Sequence, residues 1–319
     1  MKNLRKNLLL SLVFGILFLF ILCFPSSAKE HAYLGLHVWF TQMIPSLLPF
    51  MILSSVLVGL NLEQILVKPI SVLLRRLFHI NDAGIYVIVM GFLCGFPMGA
   101  KTAALEYESG KISKDEAEFL LAFTNNIGPA YFLSFVYGII YPKGNFAMGL
   151  FILYGIPFLY GILLRYSLYR HRIVTPINTR QKHISKLSAC TTAASPTLFS
   201  VLDTSITKGL IQISMLGGYM ILCNLLVMIP KTLFHQIPIL CTFFHNVLEI
   251  SGGLLSIRAL HLTGEQAFIA AHTSLAFTGL SCHLQTFHIL NHSGLSCQKY
   301  MLHKIILCSI VCITLFLIK

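Results

Sequence analysis

The chain has 319 residues, 56% of them hydrophobic and 11% charged, with a mean hydropathy of +0.78, a balance that excludes a soluble globular domain and specifies a polytopic membrane protein. The net charge of +12 does not imply a nucleic-acid partner, because Lys and Arg gather on the cytoplasmic loops of membrane proteins. The nine cysteines are scattered through apolar segments without a C-x-x-C pair, so they read as small buried hydrophobes rather than disulfides or a zinc site.

In chain order, "NLLLSLVFGILFLFILCF" (Asn7–Phe24) follows Lys2, Arg5 and Lys6 and predicts an N-terminal membrane anchor within 1–28. A signal peptide cut after Ala28 is the other reading of the same pattern; in both, the chain from residue 29 starts outside. Hydropathy predicts further apolar segments at about 40–60, 83–105, 115–141, 145–167, 209–229, 239–260, 265–290 and 301–318. Between the first two, "NLEQILVKPISVLLRRLFHI" (Asn61–Ile80) alternates apolar and basic residues at helical spacing, as in an amphipathic helix lying in the interface.

The stretch "GFLCGFPMGAKTAAL" (Gly91–Leu105) places three glycines, a proline and a lysine where a spanning helix should be uninterrupted. Charge placement explains it. The basic segment "RYSLYRHRIVTPINTRQKHISK" (Arg165–Lys186) and the helix with Lys68, Arg75 and Arg76 both belong on the cytoplasmic side. They reach it together only if 83–108 dips into the membrane and returns, a re-entrant hairpin with "GFPMG" at its tip. The same reasoning makes 239–261 a hairpin entering from outside, and leaves most of the 23 Lys and Arg inside, Lys304 among them. "ISKDE" predicts an N-cap at Ser113 with Glu116 in the capping-box position.

"LAFT" occurs twice, at Leu121–Thr124 and Leu275–Thr278, and at the same offset Gly99 aligns with Gly253 and Gly110 with Gly264. This predicts two repeats, 29–167 and 209–319, joined by a basic cytoplasmic linker, 168–208, and entering the membrane from opposite sides. Each hairpin is followed by a second break, "TNNIGPA" (Thr124–Ala130) and "FTGLSCHLQ" (Phe277–Gln285). Broken helices expose backbone groups that lipid cannot satisfy, so protein, water or a ligand must do so.

The candidate site collects the two tips and the two breaks: Gly95, Pro97, Gly99 and Lys101; Glu249, Ser251 and Gly252; Thr124, Asn125 and Asn126; Ser281, His283 and Gln285. Glu249 is the one acid expected deep in the membrane, where ionisable groups usually contact a substrate, proton or ion; pairing with Arg258, or capping the hairpin as a neutral acid, is the alternative. Lys101 would steer an anion or snorkel to the surface. The Thr and Asn side chains would cap freed backbone or touch a ligand, and His283 could carry a proton. The thirteen histidines match no metal-ligand spacing. With no P-loop and no G-x-S-x-G, neither metal, cofactor nor enzymatic activity is expected.

"MGFLCGFPMGAKTAALEYESGKISKDEAEFLLAFTNNIGPAYF", with the later "LEISGG" and "GLSCHLQ", resembles the YlbJ family of sporulation integral membrane proteins, within the nucleoside-recognition (Gate) domain group. The resemblance runs from about Ser46 to the C-terminus. It implies a role in making the spore, at its cortex or envelope, in the plasma membrane or a forespore or mother-cell membrane. It also implies a fold distantly like concentrative nucleoside transporters, which place a polar, acid-bearing sequence at the first hairpin tip. "GFPMG" has none, and only Glu249 keeps a carboxylate where a ribose hydroxyl would bind. The expected fold is therefore all-α and polytopic, with two inverted repeats, re-entrant hairpins and broken helices. The expected partners are the lipid bilayer, a small polar solute and other spore membrane proteins. A membrane scaffold without transport is the alternative.

Overall fold

The computed structural model describes residues 2–60, 62–140, 145–173 and 197–318, and among them there is helix and turn but no strand. Most of the basic linker, residues 174–196, and Lys143 lie outside the described residues. The chain opens with α1 (Lys2–Cys23), then α2 (Pro25–Val38), which runs through a π-helical turn, Trp39–Met43, into α3 (Ile44–Gly59). Next come α4 (Glu63–Phe78), α5 (Asp82–Cys94), α6 (Met98–Glu108) and α7 (Lys114–Thr124). A short α8 (Pro129–Tyr131) continues into a π-helical stretch, Phe132–Ile140, and α9 (Phe146–Leu150) continues through another, Phe151–Gly155, into α10 (Ile156–Tyr166). The second half holds α11 (Leu198–Leu233), α12 (Pro238–Leu248), α13 (Ile250–Ala259), α14 (Gly264–Phe277), α15 (Gly279–Ser293) and α16 (Cys297–Leu317).

Five runs are long and apolar enough to cross a bilayer: Pro25–Leu57, Lys114–Gly138, Phe146–Tyr166, Leu198–Leu233 and Cys297–Leu317. A sixth arises if Val67–Phe78 and Asp82–Cys94, bent by 106° at their junction, count together. Runs of this number, length and hydropathy make the chain a multi-pass membrane protein. Phe14, Phe18, Leu19, Leu163, Ile211 and Phe316 are exposed, as side chains facing acyl chains should be.

The span expected at 40–60 begins at Pro25 instead, so the expected boundary after residue 28 lies inside α2. Pro25 stands at the first position of a new helix, where its missing N–H costs nothing. Ala28, His31, Gly35 and Val38 then form one buried face at helical spacing, with Lys29 and Glu30 exposed. That face lies on α11: a Cβ on Gly35 would stand 3.1 Å from the Ile221 Cα. Trp39 Nε1 donates to the Ile213 carbonyl at 2.7 Å, fixing the π-turn to the same helix.

Two pairs of short helices fold back on themselves. In α5–α6 the open ends are tied by Asn81 Nδ2 donating to the Lys111 carbonyl at 2.7 Å, and the tip is Gly95–Phe96–Pro97, with a cis bond before Pro97. In α12–α13 the single residue Glu249 turns the chain, and Asn246 Nδ2 donates across to the Gly253 carbonyl at 3.1 Å. Both breaks expected after the hairpins are present. Asn125–Gly128 is non-helical between α7 and α8, and Thr278, at φ 74°, separates α14 from α15. Ser113 caps α7 by accepting from the Glu116 N–H at 3.2 Å.

The core lies around α5 and α7, whose faces are buried almost throughout. Phe78, Phe119, Phe123 and Phe158 pack there, with Phe78 stacked on Phe123 at 5.4 Å and edge-on to Phe158 at 5.4 Å. Arg165, the first residue of the basic segment expected on the cytoplasmic side, is buried: its Nε donates to the Phe78 carbonyl at 2.5 Å and an Nη to the Tyr169 carbonyl at 2.9 Å. It thereby satisfies the last carbonyl of α4, one that helix geometry leaves unpaired.

Candidate functional site

The first break shows where freed backbone groups go. The Phe123 carbonyl accepts from Asn126 Nδ2 at 2.6 Å, and the Thr124 carbonyl from the Asn126 N–H at 3.2 Å. The Asn125 carbonyl accepts from Lys304 Nζ at 2.9 Å, and the Asn126 carbonyl from the Phe96 N–H at 2.9 Å. The Ile127 carbonyl accepts from the Tyr154 hydroxyl at 3.0 Å. Each carbonyl from Phe123 to Ile127 thus has a protein donor, which meets the requirement that lipid cannot. Thr124 turns its hydroxyl back to the Leu120 carbonyl at 2.8 Å. Asn125 accepts from the Ala100 N–H at 3.2 Å and donates to the hydroxyls of Thr286 and Tyr300 at 3.2 and 3.3 Å. Thr124, Asn125 and Asn126 therefore stabilise the break.

The tip glycines serve the same junction. Gly95, at φ 70°, lies so close to Gly128 that a Cβ would overlap its N and Cα. A Cβ on Gly99 would stand 2.8 Å from the Thr124 carbonyl oxygen. What approaches these glycines is the backbone of the first break. Pro97 immediately precedes α6, at its N-cap position, without a side-chain hydrogen bond to it. The second tip meets the second break likewise: a Cβ on Gly279 would lie 3.0 Å from the Ile250 N.

Glu249 is 1% exposed. One carboxylate oxygen accepts from the Ser251 N–H at 3.0 Å, the other from the Gly252 N–H at 2.7 Å and from Asn224 Nδ2 at 3.4 Å. The group caps the N-terminus of α13, where the helix dipole favours negative charge. Arg258 is nine residues further along α13, about 13 Å at helical rise, and Glu249 makes no ion pair with it. Behind the carboxylate, Asn224 Oδ1 meets His245 Nε2 at 3.3 Å, and His245 Nδ1 meets Ser256 Oγ at 2.8 Å.

In front of it lies a cavity of about 40 Å³. Glu249, Ser251, Tyr131, Ser281 and Gln285 supply its polar lining, and Phe96, Ile127 and Met220 are among its apolar walls. The Tyr131 hydroxyl donates to Ser251 Oγ at 3.1 Å. Ser281 Oγ and Gln285 Oε1 are buried and have no hydrogen-bond partner. The cavity gathers residues from the first tip, the first break, the second tip and the second break.

His283 and Lys101 lie elsewhere. His283 is fully buried, with Nδ1 3.1 Å from the Tyr300 hydroxyl and its ring edge-on to Phe277 and Phe96. Lys101 donates to Gln212 Oε1 at 2.8 Å and lines a separate cavity of about 530 Å³ with Lys208, Thr204 and Ser205. Among the described residues, no three His, Cys, Asp or Glu side chains gather as metal ligands.

Lys304 is 3% exposed and bonded to the first break. Glu249 shares its burial within the protein with Glu106, Glu116 and Glu118, each at most 6% exposed. Glu106 pairs with Lys111 at 3.1 Å, and Glu118 with Lys299 at 2.6 Å. Asn224, His245, Tyr131 and Lys304 are the site residues that sequence reasoning missed. The first two follow Gly217 and Met220, or precede Glu249, on faces whose burial only the packing reveals.

No family model and no solved structure matches the chain. It is similar to the sporulation integral membrane protein YlbJ of Bacillus subtilis (strain 168), 26% identical over 340 aligned residues that cover 95% of this chain and 81% of that protein. The similarity supports the YlbJ family read from the "GFPMGAK" block, and extends it over the N-terminal helices as well.

Proposed function

We propose that this YlbJ-like chain is a sporulation membrane protein of transporter-like architecture that binds or moves a small polar solute at the cavity beside Glu249, in service of the spore cortex or envelope. The observation that carries the reading is a buried carboxylate with no cationic partner among the described residues, facing a cavity whose Ser281 and Gln285 oxygens have no partner among them. Buried polar groups left unpaired cost roughly 1–3 kcal/mol each, and a solute bearing hydroxyl or N–H groups would satisfy both oxygens beside the carboxylate. The matching contacts of Gly95 with Gly128 and Gly279 with Ile250 fit two inverted repeats, each pressing a hairpin tip onto a broken helix. In this state the cavity has room for a few waters, well below the roughly 300–1,000 Å³ of pockets for drug-sized ligands. A solute of nucleoside size would enter only when the tips part.

That small volume also favours a second reading, a scaffold that keeps the frame without transport and organises other spore-envelope proteins. A thermal-shift screen of the purified protein separates the two, using nucleosides, amino acids, small organic acids and cations, with Glu249→Gln in parallel. Solute binding predicts a ligand-specific rise in the unfolding midpoint that the folded Glu249→Gln variant loses. No shift with any ligand, and equal behaviour of the variant, would set the solute reading aside in favour of the scaffold.

A further inference from the structure

Lys304 is a buried ammonium without a counter-ion. It is 3% exposed, and among the described residues no carboxylate lies within ion-pair distance of it. Its Nζ donates to the Asn125 main-chain carbonyl at 2.9 Å and to Asn126 Oδ1 at 3.2 Å, and lies 5.1 Å from the centre of the Phe96 ring. All three partners are neutral. A desolvated lysine is ordinarily paired with an acid, because an unpaired buried charge costs several kcal/mol.

The set around Nζ is one that small monovalent cations use. α7 ends at Thr124, so the Asn125 carbonyl lies at the negative end of that helix's dipole. Unwound backbone carbonyls and half-helix C-termini are where broken membrane helices coordinate cations. The Asn126 amide oxygen adds a second hard ligand, and the Phe96 face adds a cation–π contact. Lys304 reaches the place from α16 one turn beyond Tyr300, whose hydroxyl accepts from the Asn125 amide.

We propose that the first break is a monovalent-cation site whose resident cation is the chain's own ammonium, tethered by α16. The tether keeps the site filled without a free ion and binds α16, the first break and the first tip together. The inference stands apart from the solute reading at Glu249: the two sites share the Phe96 ring, but neither the Asn125 and Asn126 oxygens nor Lys304 line the Glu249 cavity.

The test is thermal unfolding of the purified protein in matched chloride salts of lithium, sodium, potassium, methylammonium and choline, for the wild type, Lys304→Ala and Lys304→Met. Alanine leaves the two oxygens and space for a small cation; methionine fills the space and carries no charge. The expected result is that at least one small cation raises the Lys304→Ala midpoint by several degrees over choline. The wild type and Lys304→Met should not respond, and adding Asn126→Ala to Lys304→Ala should abolish the response. An alanine variant that is unfolded or unstabilised in every salt overturns the proposal. So does a Lys304→Met variant as stable in choline as the wild type, since the break then needs no cation.

Discussion

Gly95 combines a conformation and a contact that no other residue type tolerates. Its φ of 70° and ψ of −155° fall in a region essentially reserved for glycine, costing about 1–3 kcal/mol for any other residue. A Cβ would also overlap Gly128 across the junction. Gly110 supplies the control, because it too has positive φ, 71°, but a Cβ there would meet nothing within 4 Å. Gly95→Ala should therefore lower the unfolding midpoint by clearly more than Gly110→Ala, whose cost is the backbone term alone, about 1–2 kcal/mol. Equal shifts would mean that the first tip is not pressed onto the first break. The Gly-rich tip was legible from composition, but what it approaches was not, since a glycine marks a close contact without naming the partner. Lys304 was missed for a different reason. A hydropathy reading puts it at the polar edge of the last apolar run, whereas Tyr300, His303, Lys304, Leu307 and Val311 follow helical spacing on one buried face. That periodicity was the available signal.

At the scale of elements, α7 and α16 are joined by charge as well as by packing. Glu118 on α7 is 4% exposed and accepts from Lys299 Nζ at 2.6 Å and from the Ser296 N–H at 3.2 Å. Lys299 is about half exposed, so solvent screens its side of the pair, but the carboxylate is desolvated and depends on both donors. Removing only the cation leaves that charge buried with a single N–H, whereas Glu118→Gln removes the charge and keeps an acceptor. Lys299→Met should accordingly cost about 1–3 kcal/mol, Glu118→Gln less, and the double variant less than Lys299→Met alone. Unfolding midpoints of the three variants check the order; additive single effects would remove the coupling. Three chain breaks were legible because Gly, Pro, Asn and Thr punctuate apolar runs at Gly95–Pro97, Asn125–Gly128 and Thr278, and the fourth, at Glu249, followed from charge placement and the repeat. The start of α2 was not legible. Pro25, at the first position of the helix, lies inside the segment 1–28 that reads as an anchor or signal peptide, and Lys29 and Glu30 mask the small, partly polar face that packs on α11.

Over the whole molecule, topology reduces to parity. Between Lys111, in the turn after α6, and His261, in the turn after α13, the runs Lys114–Gly138, Phe146–Tyr166 and Leu198–Leu233 are each able to cross. α11, at 36 residues, extends about 54 Å, more than the roughly 30 Å hydrocarbon core, and so crosses with length to spare. The sequence between α10 and α11 is basic and polar and holds no apolar run of spanning length. Three crossings put Lys111 and His261 on opposite sides if α12–α13 returns to the face it left, as the inverted-repeat proposal requires. A full crossing by α12–α13 would put them on the same side. Both positions are exposed, so single cysteines at Lys111 and at His261, in a background without the nine native cysteines, are open to a membrane-impermeant maleimide. Opposite labelling in right-side-out and inverted vesicles, with position 111 reacting from the cytoplasmic face, is the expected outcome. Labelling of both from one face would make α12–α13 a spanning pair, and the second tip could then not meet the first from the other side of the membrane. The transporter-like reading would fall with it, even though the cavity at Glu249 and the cation site at Lys304 would still need their own explanations.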